Sequence, residues 1–159
     1  MLKDMHFLSV SWYDNLEPDT LVIVNDSGYT NDAVGIQYLH HFIQHSAAYS
    51  SCNETRLLIV DGHDSHKTGQ FITIAEEYNV IPCALPPHTT HLLQPLDVEV
   101  FQQCQHFHQK ALDKAVRSFD YEYKLPTFLS DLPYIRNRSL TVKTIQSGWR
   151  EAGLWQSRA

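Results

Sequence analysis

The feature that most constrains this chain is the run Leu57-Leu58-Ile59-Val60, four apolar residues that end on the carboxylate of Asp61. A short unbroken apolar run of this kind reads as a strand buried on both faces of a sheet. Helical spacing through Phe71, Ile74, Ala75 and Tyr78 follows it. A second apolar run, Val80 to Leu85, is then ended by Pro86-Pro87, because proline lacks a ladder donor and restricts the residue before it. Strand, helix, strand predicts two parallel strands joined by a right-handed crossover, with the loops after them opening on one edge of the sheet. Function in such sheets gathers at the carboxyl ends of the strands, where Asp61 stands.

The remaining elements are read the same way. Leu21-Val22-Ile23-Val24, closed by the turn Asn25-Asp26-Ser27-Gly28, predicts a further buried strand. Thr30 or Asn31 can cap a helix whose face carries Val34, Tyr38, Leu39 and Phe42, and Ser46 to Glu54 is a polar connection. A long helix is expected from about Leu96 to Phe119, with Val100, Phe107, Ala111 and Val116 on its apolar face. A Pro-punctuated stretch, Leu125 to Pro133, separates it from a last helix that begins near Thr141 or Val142 and ends by Gly153.

At 159 residues and 43% hydrophobic composition the chain can bury one ordinary core, so a single domain over residues 1–159 is expected. No apolar run approaches the roughly 20 residues of a membrane helix and the start lacks the pattern of a signal peptide, which predicts a soluble intracellular protein with no membrane partner. Cys52, Cys83 and Cys104 form an odd set without CxxC spacing, which predicts buried free thiols rather than disulfides or a thiolate zinc site. The net charge of −6 fits poorly with phosphate neutralisation. Its distribution changes that: residues 1–99 hold three Lys and Arg against thirteen Asp and Glu, whereas residues 100–159 hold nine against five. Any basic face is therefore C-terminal, although Lys110, Lys114 and Arg117 also fit the solvated side of a helix.

Three carboxylates stand out by position: Asp61 at a strand end, Asp64 three residues on, and Asp97 where the long helix starts. An ionised carboxylate after four apolar residues needs a cation or hydrogen-bond donors, and a hard divalent ion is one such partner. The plainer alternatives are that Asp61 receives loop backbone N–H groups and that Asp97 only answers a helix macrodipole. Two pairs, His63 with His66 and His88 with His91, offer four imidazoles on the same sheet edge; a closed all-histidine zinc site is an uncommon choice, so loop hydrogen bonds or orientation of carboxylates compete with it.

The wording of these loops adds a resemblance. Leu57 to His66, LLIVDGHDSH, and Leu85 to Asp97, LPPHTTHLLQPLD, resemble two blocks of the DDE superfamily endonuclease domain of pogo/Tigger-type transposases, within the Tc1/mariner superfamily. Ser27 to Asn31 is similar to that family's turn before the first helix, and Ile145 to Leu154 to its C-terminal element, so the resemblance runs from about residue 22 to residue 155. It implies an α/β fold, an RNase H-like mixed sheet flanked by helices. It also implies that Asp61 and Asp97 are catalytic, metal-binding residues for Mg²⁺, that DNA is the partner with no small-molecule cofactor, and that the protein works in the nucleus. His63, Ser65 and His66 would then be loop or supporting residues.

The family's first acidic position lies on an upstream strand. Asp14, Asp26 and Asp32 precede Asp61, but none stands in a matching motif. The resemblance thus leads to an expected partial domain, without its first strand or strands, its first acidic residue or the family's helix-turn-helix region. Two ligands hold a metal pair poorly, so impaired strand cleavage is expected, with a domesticated or remnant DNA-binding or protein-interaction domain as the alternative. Phe7-Leu8-Ser9-Val10 is a candidate remaining strand, and an uncovered sheet edge or face makes self-association an expectation.

Overall fold

The computed structural model describes residues 12–49, 51, 54–119 and 122–155, so the candidate strand Phe7–Val10 and Cys52 lie outside the described residues. The chain forms two compact units, one from residues within 21–88 and the other from residues within 12–20 and 89–155.

In the first unit, helix α1 (Asp32–Ser46) starts where the Asn31 side chain accepts the Val34 N–H at 3.0 Å. That cap satisfies one orphan donor of the first turn and contributes about 1 kcal/mol. Strand β1 (Arg56–Val60), helix α2 (Gly69–Glu77), capped by Thr68, and strand β2 (Val80–Ala84) follow. The strands pair in parallel with Leu57 opposite Ile81 and Ile59 opposite Cys83, as the strand-helix-strand pattern predicts. Leu39, Ile43, Leu58, Val60, Phe71, Ala75 and Val80 form the core between the helices and one face of this sheet. Arg56 ties the frame together: its guanidinium donates to the carbonyls of Ile43 and Tyr78, at the C-terminal ends of α1 and α2, where a cation is favoured by the helix dipoles.

Three expectations fail here, each for a tertiary reason. β1 is covered on one face only, and Leu57 and Ile81 remain 57% and 55% exposed on the other. The run Leu21–Val24 is not a strand among the described residues. Its only β feature is an isolated bridge at Val24, and Leu21 and Val22 are about 40% exposed, because no described neighbour covers them. Cys83 lies on the open sheet face and is exposed rather than buried.

The second unit is helical. A short helix α3 (Thr90–Leu93) leads into a π-helical turn, Leu96–Val100, continuous with α4 (Phe101–Arg117). Helices α5 (Leu125–Ser139) and α6 (Val142–Glu151) complete it. α4 packs on α5, and α6 packs on the π turn. Val100, Phe107 and Ala111 are buried as expected, but Ala115 takes the place assigned to Val116, which is exposed. The Pro-punctuated stretch is helix, not a separator. Pro126 sits in the first turn of α5, where its missing N–H would be unpaired anyway, and Pro133 is accommodated inside the helix. Thr141 caps α6 and Gly153, at φ 70°, closes it, as the sequence predicts. Cys104 is half-buried, with its thiol 3.1 Å from the Ser139 hydroxyl.

Candidate active site

Parallel pairing puts the ends of β1 and β2 side by side. The Leu85 N–H donates to the Val60 carbonyl at 3.0 Å, so the loop holding Asp61 and the loop opening at Pro86 leave the sheet together. Asp61 is half-buried. Its Oδ1 accepts the His63 backbone N–H at 3.2 Å and lies 3.5 Å from Nε2 of His66, a polar contact at the long limit of hydrogen bonding. Oδ2 has no partner among the described residues. The plain reading of Asp61 as a loop-capping residue is therefore correct for one oxygen and leaves the other unspent.

His63 and Ser65 hold the loop from within. His63 Nδ1 accepts the Ser65 N–H and lies 2.8 Å from its hydroxyl. An acceptor role at Nδ1 assigns the His63 proton to Nε2, on the exposed side of the ring. Ser65 is 1% exposed, and its carbonyl sits against Gly35 of α1, where an added Cβ would come within 2.8 Å of that oxygen. Lys67 closes the far side, donating to the Gly62 carbonyl and lying 3.9 Å from Asp64. The Asp64 side chain is fully solvated.

His66 is the most enclosed of the loop's ionisable groups. Its ring lies 5.5 Å from Phe71, 6.1 Å from His63 and 6.3 Å from Tyr38, and its Nδ1 is buried without a hydrogen-bond partner. Burial pushes its pKa down; Asp61 opposes that and His63 reinforces it.

Asp97 occupies the second position of the π turn, half-buried, with its backbone N–H bonded to the Gln94 carbonyl at 3.0 Å. Its carboxylate has no hydrogen bond or ion pair among the described residues. The turn is seated against α6: a Cβ at Gly148 would stand 2.5 Å from the buried Pro95's carbonyl oxygen and 3.5 Å from Cβ of Glu99. π turns of this kind recur at functional sites.

The histidine pairs do not assemble into a zinc site. Among the described residues no group of three or more His, Cys, Asp and Glu side chains is arranged to hold a metal ion. His88 and His91 are exposed, and His88 adopts a positive φ of 61°, a conformation that costs a residue with a Cβ about 1 kcal/mol or more. Asp61 belongs to the first unit and Asp97 to the second. Each is a half-buried oxygen donor with spare capacity, which suits a hard ion that keeps several waters and binds through one or two carboxylates. Gly35 and Gly148 went unread in the sequence. Their only local signal is a glycine placed inside a helical pattern, where it is weaker than alanine and so invites a packing reason.

A family model described as DDE superfamily endonuclease matches residues 4–149, a span that takes in both acidic loops. The chain belongs to the DDE superfamily endonuclease family. It is also 31% identical over 149 residues to a Cochliobolus lunatus protein named MFS-type transporter clz9; the match covers 94% of this chain and 16% of that protein. No helix among the described residues is long and apolar enough to cross a membrane. No solved structure matches the chain. The mixed α/β architecture of the first unit is consistent with membership of this family.

Proposed function

We propose that this chain is a catalytic domain of the pogo/Tigger transposase type with an RNase H-like sheet, working on DNA in the nucleus, in which Asp61 and Asp97 are metal-binding carboxylates. The observation that carries the reading is the coincidence of a family match over residues 4–149 with two built loops, each offering a half-buried carboxylate with at least one uncommitted oxygen. Asp61 and Asp97 would be ligands for Mg²⁺, which when bound would supply a lowered pKa for an attacking water or 3′-hydroxyl and would offset charge on the leaving oxygen. The chain's own part is to hold those oxygens: the His63 amide and His66 fix Asp61, and the π turn seated on Gly148 fixes Asp97. Lys110, Lys114 and Arg117 are exposed at helical spacing on α4 and supply positive charge to a phosphate backbone.

Asp14, Asp26 and Asp32 precede Asp61 without standing in a matching acidic motif, and on this reading impaired strand cleavage is the expected behaviour of the chain. The test is Mg²⁺- or Mn²⁺-dependent nicking of plasmid DNA alongside DNA binding measured against salt. Weak nicking that vanishes in Asp61→Asn and Asp97→Asn supports the reading. Vigorous nicking by the chain overturns the impairment. DNA binding with no metal dependence favours the second reading, a domesticated or remnant domain that binds DNA or protein, for which the exposed Leu57–Ile81 face makes self-association the property to measure by size-exclusion chromatography.

A further inference from the structure

His66 combines two properties that a space-filling residue would not need. Its side chain is only 14% exposed, and one ring nitrogen, Nδ1, is buried with no hydrogen-bond partner. An orphaned buried polar atom is destabilising, so leucine or phenylalanine would fill the space beside Phe71 and Tyr38 at lower cost. The other nitrogen accounts for the imidazole: Nε2 reaches Asp61 Oδ1 at 3.5 Å, the oxygen that also accepts the His63 amide.

We propose that His66 is a positioning residue for Asp61, its ring held by Phe71, Tyr38 and His63 so that Nε2 and the His63 amide together fix Oδ1 and leave Oδ2 as the oxygen offered to a divalent cation. The proposal rests on the reading of Asp61 as a metal ligand. Packing sets the direction of Nε2: Phe71 is fully buried at 5.5 Å from the imidazole, and the Ser65 carbonyl one residue earlier is pinned against Gly35. The ring therefore has little freedom to turn away from the carboxylate. A 3.5 Å separation is of the kind seen for supporting contacts in unliganded active sites, which run longer than in the loaded state.

The test is Mn²⁺ binding to the full chain, followed by isothermal titration and by the electron paramagnetic resonance of the free ion, for the unaltered protein and for Asp61→Asn, His66→Leu and His66→Gln, with the thermal midpoint of each. Supporting groups of this kind are worth roughly 10–100-fold in metal affinity. His66→Leu is expected to lose affinity in that range with its midpoint kept or raised, because leucine fills the same apolar space without an orphaned nitrogen. His66→Gln, whose amide can again donate to Oδ1, is expected to recover part of the loss. If Asp61→Asn weakens binding while His66→Leu binds as the unaltered chain does, the positioning role is overturned and the metal reading stands. If Asp61→Asn itself leaves binding unchanged, the metal reading fails first. Equal losses in the leucine and glutamine variants, each tracking a lowered midpoint, assign the ring to packing and overturn the proposal.

Discussion

Gly148→Ala is the sharpest single perturbation of the Asp97 turn. The added Cβ would stand 2.5 Å from the Pro95 carbonyl oxygen and 3.3 Å from its carbon, while ordinary contact begins at 3.4 Å. Restoring that separation from the oxygen means a yield of about 0.9 Å by backbone on one side or the other. Neither side gives readily, because Pro95 is buried with a ring-fixed φ and α6 is held at its start by the Thr141 cap. Two terms oppose each other. Alanine in a helix interior gains about 1 kcal/mol over glycine, and overpacking a closed contact costs about 1–3 kcal/mol. A net loss on the order of 1 kcal/mol is expected from urea or thermal unfolding. Asp97 lies two residues beyond Pro95, so displacement of the turn moves the carboxylate too, and misplacement of about 1 Å is worth as much as 100-fold in chemistry that depends on it. Gly69→Ala, at the start of α2 with nothing within 4 Å of the new methyl, is the control and should match or exceed the parent in stability. A Gly148→Ala protein as stable as the parent, with Asp97-dependent Mn²⁺ affinity intact, would refute the reasoning.

Two further outcomes follow from the packing and the titration. Leu58→Ala removes a side chain 5% exposed in the core and should cost about 2–5 kcal/mol in chemical unfolding, whereas Leu57→Ala, one residue away on the open face, should cost well under half of that; equal losses would mean that both faces are covered in solution. Tyr123 donates to Asp131 at 3.0 Å, and burial, that hydrogen bond and the carboxylate's charge push its pKa up to about 12. Because the folded value is raised above 10, the contact's contribution is complete below pH 10 and is lost as pH rises through about 12. Phenolate absorbance followed against pH in the unaltered protein and in Asp131→Asn checks this, the variant's tyrosine titrating earlier.

The parts of the fold that depend on neighbours in sequence were readable from it. Asn31 caps the first helix by accepting an N–H three residues on, the last helix starts at Thr141–Val142, and the two apolar runs flank a helix and pair in parallel. What depends on distant residues was not. The run Leu57–Val60 has the same pattern whether one or two layers cover it, and Leu21–Val24 is β-prone without a described ladder to join. Pro133 breaks helices in isolation, yet α5 is stabilised by packing on α4. At the candidate site, Asp61 was visible as a carboxylate closing an apolar run and Asp97 as one at the start of a helix. Their supports were not: the Gly35–Ser65 and Pro95–Gly148 contacts join residues 30 and 53 positions apart, and His66 acquires its partner only once the loop folds.

The π turn at Leu96–Val100 fixes a phase relation as well as a position. The Phe101 N–H bonds back five residues to the Leu96 carbonyl, so one more residue is accommodated than an α-helical turn would take. Each residue of an α-helix advances about 100° around the axis. Removing one residue between Asp97 and Phe101 would therefore swing the carboxylate about a quarter of the way round the cylinder while Val100, Phe107 and Ala111 kept their places against α5 and α6. The acidic residue and its anchoring helix are geared to each other through that wide turn, and substitutions are tolerated there on terms quite different from those governing insertions and deletions.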